Sequence, residues 1–362
     1  MSGTSLDAVD AVAVTFSEKQ LQIISALSIE IPPQLREKIA SLCQPGENEI
    51  DRLGQLDFQL GELFASGVQR LLDKSQLQAK QVRAIGSHGQ TIRHRPGGDT
   101  PFTLQIGAPA LIAQRTGITT IADFRSRDIA DGGEGAPLVP AFHAQQFDTP
   151  SEQRCILNIG GIANITRLKG KDFSRAITGF DCGPGNLLMD AWCSRHLKQP
   201  YDNNGMWAAS GNIHQPLLHS LKQDPYFELT PPKSTGRELF NLPWLEQHLD
   251  RQPPILAADV QATLCELTAQ SISEAIWKHA ADTAALYVCG GGAHNSQLIT
   301  RLTSLLAPIN VYSSKKMGLD PDWVEACAFA WLAKRTLNGK PGNLPEVTGA
   351  CQPAILGAIY PA

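Results

Sequence analysis

The sequence predicts an α/β protein of two lobes, each built on a mixed sheet, and three observations predict it. Short apolar runs ending in glycine or polar turns alternate with helical stretches in both halves of the 362 residues. Both halves open on a glycine-rich hairpin, Gly3-Thr4-Ser5 in one and Gly160-Gly161 in the other, as a duplicated core would. At roughly 150 residues per domain, the length accommodates two lobes with a cleft between them.

Taken in order, the chain starts on turn chemistry from Met1 to Asp7 and continues at once into the strand-like Ala11 to Val14, a hairpin that begins without a strand ahead of it. Leu21 to Ile31 reads as another strand. Leu53, Leu56, Leu60, Leu63, Phe64, Val68 and Leu71 recur at helical spacing, which predicts one long amphipathic helix. Val82 to Ile85, Phe102 to Ile106 and Ile118 to Ala122 are short strands, each followed by a turn, with a helical segment from Pro109 to Arg115 between the last two. The pattern restarts with Cys155 to Ile159 before Gly160-Gly161, then Ala163 to Thr166. A helix from about Gln261 to His279, a strand from Ala285 to Cys289 and an alanine-rich helix from Trp323 to Arg335 follow. We place the first lobe at residues 1–135 and the second at 136–362, with the last helix a candidate to return to the first. The crossing falls at Asp131 to Pro137 or in the polar stretch Gln145 to Gln153.

With 42% hydrophobic and 18% charged residues the chain has the profile of a soluble globular protein, which excludes disordered and fibrous classes. Lys and Arg total 31 against 35 Asp and Glu, a formal charge of -4, so no basic field exists to hold a nucleic-acid backbone. No run approaches the ~18 consecutive apolar residues of a membrane helix, and the N-terminus lacks a secretion pattern, so the expected location is the cytoplasm, away from membranes. The eight cysteines form no CxxC pair, which points to reduced thiols rather than zinc or a disulfide framework.

Familiar phosphate and hydrolase motifs are missing: there is no GxxxxGK[ST], no GxGxxG after a strand, no GxSxG and no HExxH. Four glycine turns at strand ends remain, Gly3-Thr4-Ser5, Gly160-Gly161, Gly183-Pro184-Gly185 and Gly290-Gly291-Gly292, and such turns let backbone amides face an anion with no Cβ in the way. Asp181 is placed at a strand end before Gly183-Pro184-Gly185 and an amphipathic helix whose N-terminus can attract negative charge. Two roles fit it there: a general base, or the N-cap of that helix.

The motifs Met1 to Asp10, Gly86-Ser-His-Gly-Gln-Thr91, Asp123 to Ile129, Asn158-Ile-Gly-Gly-Ile-Ala-Asn164 and Asp181-Cys-Gly-Pro-Gly-Asn186 occur in fixed order along the chain. They continue with Pro232 to Glu238, Val288 to Asn295 and Glu325 to Trp331. In that order and over the whole length the sequence resembles the anhydro-N-acetylmuramic acid kinase family.

The resemblance implies the fold of sugar kinases, heat-shock proteins and actin: a duplicated mixed-sheet core in two lobes, with ATP in a central cleft. It implies a cytoplasmic homodimer that uses ATP and Mg²⁺ on 1,6-anhydro-N-acetylmuramic acid in peptidoglycan recycling. It assigns the first phosphate hairpin to Gly3, Thr4, Ser5, Leu6, Asp7, Ala8, Val9 and Asp10, and the adenosine-side turn to Gly290, Gly291 and Gly292. Gly160, Gly161, Asn164 and Gly183 fall to the nucleotide as well. Asp181 matches the general base, and Glu325 is a second carboxylate that orients water or sugar, or else a solvated acid at a helix start. Arg125 and Arg127 suit the lactyl carboxylate or sugar hydroxyls, or else form a surface ion-pair cluster. His88, Gln90 and Thr91, on a glycine-flanked turn, suit sugar contact, or else His88 is a satisfied structural histidine. Asp7 and Asp10 are candidate outer-shell metal groups, the metal ligands themselves being unassigned.

Two departures stand out: members carry a further strand ahead of this Met-Ser-Gly-Thr, and Ala8 replaces a common Gly. Loss of that strand predicts unpaired backbone groups beside Ala11 to Val14. Three rivals stay open. They are a nucleotide-free glycoside hydrolase using Asp181 and Glu325, a non-catalytic ATP switch, and a kinase for another anhydrosugar such as levoglucosan.

Overall fold

The computed structural model describes residues 1–3, 6, 8–17, 21–172 and 175–362. Its contacts divide the chain into two compact units, Met1–Gln146 with Trp323–Ala362, and Phe147–Asp322. The class is α/β with mixed sheets.

The first unit opens with β1 (Ala8–Phe16) and β2 (Leu21–Glu30), an antiparallel pair that forms a two-stranded sheet of its own. Ahead of it Met1 and Ser2 double back on β1: Ser2 bridges Val9, and the Asp10 amide donates to the Met1 carbonyl at 2.8 Å. Helices α1 (Pro33–Leu42) and α2 (Glu49–Ser75) follow. The apolar face read from the sequence in α2 buries Leu71 and packs Leu56, Leu60 and Phe64 together with Val9 of β1 and Ile39 of α1.

Beyond α2, the runs Val82 to Ile85 and Ile118 to Ala122 give shorter strands than they suggested. Pairing begins only at Ile85, because β3 (Ile85–Gly86) lies parallel to the equally short β6 (Thr120–Ala122), and Ala79–Gln81 turn instead as a 3₁₀ segment. Gln90 and Thr91, expected on a turn, open a strand: β4 (Gln90–Arg95) pairs antiparallel with β5 (Phe102–Ile106). Ile92 is the sole aliphatic residue in Gln-Thr-Ile-Arg-His-Arg, which hides that strand from any apolar pattern. Then come α3 (Pro109–Thr116), β6, α4 (Ser126–Ala130) and α5 (Val139–Phe147).

The second unit holds one five-stranded sheet. Its strands are β7 (Arg154–Ile159), β8 (Ile162–Arg167), β9 (Thr178–Pro184), β10 (Ala285–Cys289) and β11 (Asn310–Ser313), in the order β11-β10-β7-β8-β9. Helices α6 (Leu187–Leu197), α7 (Met206–Ser210), α8 (Gln215–Lys222), α9 (Leu242–Leu249), α10 (Ala257–His279) and α11 (Ser296–Leu306) lie between. α10 is buried along most of its length, as a helix in the middle of a core must be, with Leu264, Leu267, Ile272 and Ile276 in one cluster with Leu157, Ile165 and Val288 of the sheet. No helix among the described residues is long and apolar enough to cross a membrane.

The C-terminal segment completes the first unit. Helix α12 (Val324–Leu337) packs on β1 and β3, and β12 (Ala358–Tyr360) pairs antiparallel with β6. Gly86 permits the approach of α12, since a Cβ there would stand 2.2 Å from the Phe329 carbonyl oxygen. Asp128 ties the same segment down from inside. Fully buried, it accepts from the Gly135 amide (2.8 Å), Asn343 Nδ2 (2.6 Å) and Thr348 Oγ1 (2.8 Å). Its partners are all donors, so Asp128→Asn puts an amide N–H where acceptors are required. We expect that substitution to cost about 2 kcal/mol, read as a lower thermal midpoint for unfolding.

Candidate active site

Strand directions in the second unit decide where its glycine turns fall. β10 runs parallel to β7, β8 antiparallel to β7, and β9 antiparallel to β8. The carboxyl ends of β7, β9 and β10 therefore lie at one end of the sheet, where open α/β sheets bind ligands. The turns Gly160-Gly161, Gly183-Pro184-Gly185 and Gly290-Gly291-Gly292 follow those three strands. They pack closely: a Cβ on Gly185 would be 2.4 Å from the Gly160 backbone oxygen, and one on Gly292 would be 2.3 Å from the Ile159 side chain at Cγ2. Gly290 adopts φ +78° and donates its amide to the Pro321 carbonyl at 3.0 Å.

This packing narrows one expectation. Gly185 and Leu187 donate to the Gly161 carbonyl (2.8 and 3.1 Å) and Asn186 to that of Gly160 (2.8 Å), so of the amides in the first turn of α6 those of Leu188 and Met189 remain without an acceptor inside the helix. Gly291 and Gly292 begin a 3₁₀ turn, Gly291–His294, whose first amides have no acceptor within the turn.

Asp181 lies inside β9, directly opposite Asn164 of β8, and the N-cap of α6 is Asn186. The helix-cap alternative for Asp181 is thereby excluded. Instead a loop grips it. The Asp181 amide donates to the Lys233 carbonyl (3.1 Å), and its Oδ2 accepts from the Thr235 amide (3.0 Å). Its carbonyl accepts from the Tyr226 hydroxyl (2.8 Å). Lys233 Nζ donates to the Tyr226 carbonyl (3.2 Å) and stands 4.6 Å over the Tyr226 ring. Burial draws the Lys233 ammonium below its usual value, while Cys182, Glu228 and Asp181 pull the other way. A cation therefore stands near the carboxylate, with fewer waters to screen it.

In the first unit, side chains from separate elements form a second cluster: His88 after β3, Arg125 before α4, Glu325 in the first turn of α12 and Asp10 on β1. Arg125 Nη2 lies 2.9 Å from His88 Nε2, and a guanidinium can only donate, so Nε2 is an acceptor and the ring proton sits on Nδ1, facing the Ser2 carbonyl at 3.2 Å. The ring also rests against Phe329, one helical turn beyond Glu325, with centroids 4.5 Å apart. Burial, helped by the Arg125 charge, holds the His88 pKa well below its usual value, so the ring is neutral. Arg125 donates through Nη1 to the Gly135 carbonyl at 2.8 Å, and its buried Nε has no partner among the described residues. Burial lowers its pKa to about 10 against the pull of Glu325 and Asp128, so it keeps its charge at neutral pH. Burial raises the Glu325 carboxyl above its ordinary value; Arg125 and the Met1 amino group oppose this, and Asp10 adds to it.

The remaining predicted residues divide. Gln90 is buried and used within the fold, accepting from Ser2 Oγ (2.6 Å) and donating to the Thr91 carbonyl (3.2 Å), while Thr91 Oγ1 accepts from Gln105 Nε2 (3.2 Å). Arg127 is exposed and makes no hydrogen bond or ion pair among the described residues. In the first hairpin Leu6 and Val9 are buried core, Ala8 and Asp10 belong to β1, and Gly3 has open space around its Cα. Thr4, Ser5 and Asp7 lie outside the described residues. A cavity of about 230 Å³ opens beside His88, lined by Ser87, Gln105, Asp123, Ser126 and Tyr360 among others. Asp123 holds a left-handed backbone (φ +56°) there and accepts from Ser126 Oγ at 2.5 Å. No three or more His, Cys, Asp or Glu side chains converge on a metal-sized site among the described residues.

Sequence reasoning assigned no role to Ser2, Thr235 or Tyr226. The first two stand in motifs that carried the resemblance, and only the folded loop shows what they touch. Tyr226 left no signal at all.

Comparison with known proteins gives concordant results. The family model for anhydro-N-acetylmuramic acid kinase matches residues 1–362. The anhydro-N-acetylmuramic acid kinase of Shewanella pealeana is 53% identical over 362 residues, covering 100% of this chain and 97% of its own. That of Coxiella burnetii is 51% identical, covering 99% and 96%. The chain therefore belongs to the anhydro-N-acetylmuramic acid kinase family and is a kinase.

Proposed function

We propose that the protein uses ATP to convert 1,6-anhydro-N-acetylmuramic acid into N-acetylmuramic acid 6-phosphate, opening the anhydro bridge with water in the same turnover. The observation that carries this reading is Asp181: a carboxylate at the ligand-binding end of the sheet, beside the glycine turns and held by a loop amide rather than spent on a helix cap. Membership of the family supports the substrate class, and a cytoplasmic homodimer acting in peptidoglycan recycling is the setting the resemblance implies.

The bridged sugar has no free 6-hydroxyl, because O6 is bonded to C1. Asp181 takes a proton from a water that attacks C1; the C1–O6 bond breaks, and O6 takes the γ-phosphoryl group as ADP leaves. General base catalysis of this kind is worth about 10²- to 10⁴-fold. Phosphoryl transfer is mostly positioning and charge stabilisation, for which Gly291 and Gly292 offer amides with no Cβ to hold the phosphates off. Mg²⁺, when bound with ATP, would neutralise phosphate charge, and Asp10 is the described carboxylate able to meet its water shell. Arg125, held at Nη1 and Nη2 with Nε free, is preset to receive the lactyl carboxylate. Glu325, beside it, orients the sugar.

Three experiments test this reading. Incubation with Mg-ATP and the anhydrosugar in ¹⁸O water should place the label at C1 of a 6-phosphorylated product; label at phosphorus, or sugar opened without ATP, contradicts it. Asp181→Asn should lower kcat by at least 10²-fold while calorimetry shows ATP binding retained. For Glu325 the raised pKa means the carboxyl stays protonated above the usual carboxylate range. An acid limb in kcat/KM is therefore expected above that range, and Glu325→Gln should remove the limb as well as slow the enzyme.

A further inference from the structure

The loop that grips Asp181 has one side chain left unexplained. Thr235 gives its amide to Asp181 Oδ2 at 3.0 Å, yet its hydroxyl oxygen, buried from solvent, has no hydrogen-bond partner among the described residues. Other buried hydroxyls in the same unit are used. Thr263 donates to the Asp259 carbonyl (2.7 Å), Thr268 to that of Gly185 (3.0 Å), and Ser271 to that of Thr268 (3.1 Å). A buried hydroxyl without a partner forfeits its hydration for nothing, and valine would fill the same volume without that loss. Such an exception beside a proposed general base calls for an occupant with a polar atom of its own.

Covalent geometry fixes how near that occupant must come. Within one threonine the amide nitrogen and Oγ1 are about 3 to 4 Å apart, and this nitrogen is itself hydrogen-bonded to the carboxylate. A water bound at Thr235 Oγ1 therefore has Asp181 within reach.

We propose that Thr235 is a catalytic residue that holds the attacking water through its hydroxyl, and the proposal rests on Asp181 being the base. The water donates one O–H to Asp181 and the other to Thr235 Oγ1, which leaves a lone pair free for C1. As the new C1–O bond forms and C1–O6 breaks, the first proton passes to Asp181. Thr235 gains and loses none, its part being to fix the direction of attack.

Thr235→Val removes the hydroxyl and keeps the amide on Asp181. It should lower kcat by 10- to 100-fold, leave KM for ATP and for the anhydrosugar within twofold, and leave the thermal midpoint equal or higher. Thr235→Ser should recover most of the rate. A role confined to folding predicts the reverse, a lowered midpoint with kcat kept, and a role in holding the sugar predicts a raised KM with kcat kept; either result overturns the proposal. Should the valine variant not fold, Thr235→Ala is read by the same criteria. The ¹⁸O experiment on the unsubstituted protein separates the two readings. Absence of label at C1 overturns the role of Asp181, whereas labelled product formed equally fast with and without the Thr235 hydroxyl overturns the role of Thr235 alone.

Discussion

The approach of Gly185 to Gly160 sets the second unit's site. The N-terminus of α6 can dock against the turn between β7 and β8 because Gly185 carries no Cβ, and the three amide-to-carbonyl bonds that result fix one strand end against another. With β9 held in that way, Asp181 has a defined height above the sheet, and β8 places Asn164 opposite it. The same bonds engage the Leu187 amide, the first of α6, so one close contact both positions the carboxylate and settles the start of that helix.

The first unit solves a different problem, which is to keep a guanidinium charged and aimed while most of its water is removed. A neutral imidazole and a backbone carbonyl each take one nitrogen of Arg125, and neither cancels its charge. Had His88 been protonated, two cations would face one another at 2.9 Å; burial prevents this. The cost of the buried charge is met in part by Glu325 and Asp128.

The long elements were legible in the sequence because their periodicity is long: α2 and α10 announce themselves over several turns, while β10 is an uninterrupted apolar run before glycine and β7 one broken only by Asn158 after Arg154. β3 was legible only as a general location, since a two-residue pairing leaves no pattern, and β4 was hidden by its arginines and histidine. At the site, residue types singled out Asp181 and the glycine turns. What they could not show is that Gln90 would be spent inside the fold on Ser2, or that Thr235 would lie against Asp181 across 54 positions of chain. Contacts of that kind arise from loop closure, and no local propensity encodes them.

Two of the three bonds to Asp128 join residues 215 and 220 positions apart in the chain, and β12 reaches β6 over a similar span. The second unit, by contrast, is one uninterrupted stretch, Phe147–Asp322. On the ribosome, then, the middle of the polypeptide has all its sheet partners before the stop codon is reached. The first unit must wait, with the buried acid exposed and its donors not yet made, until the last forty residues emerge.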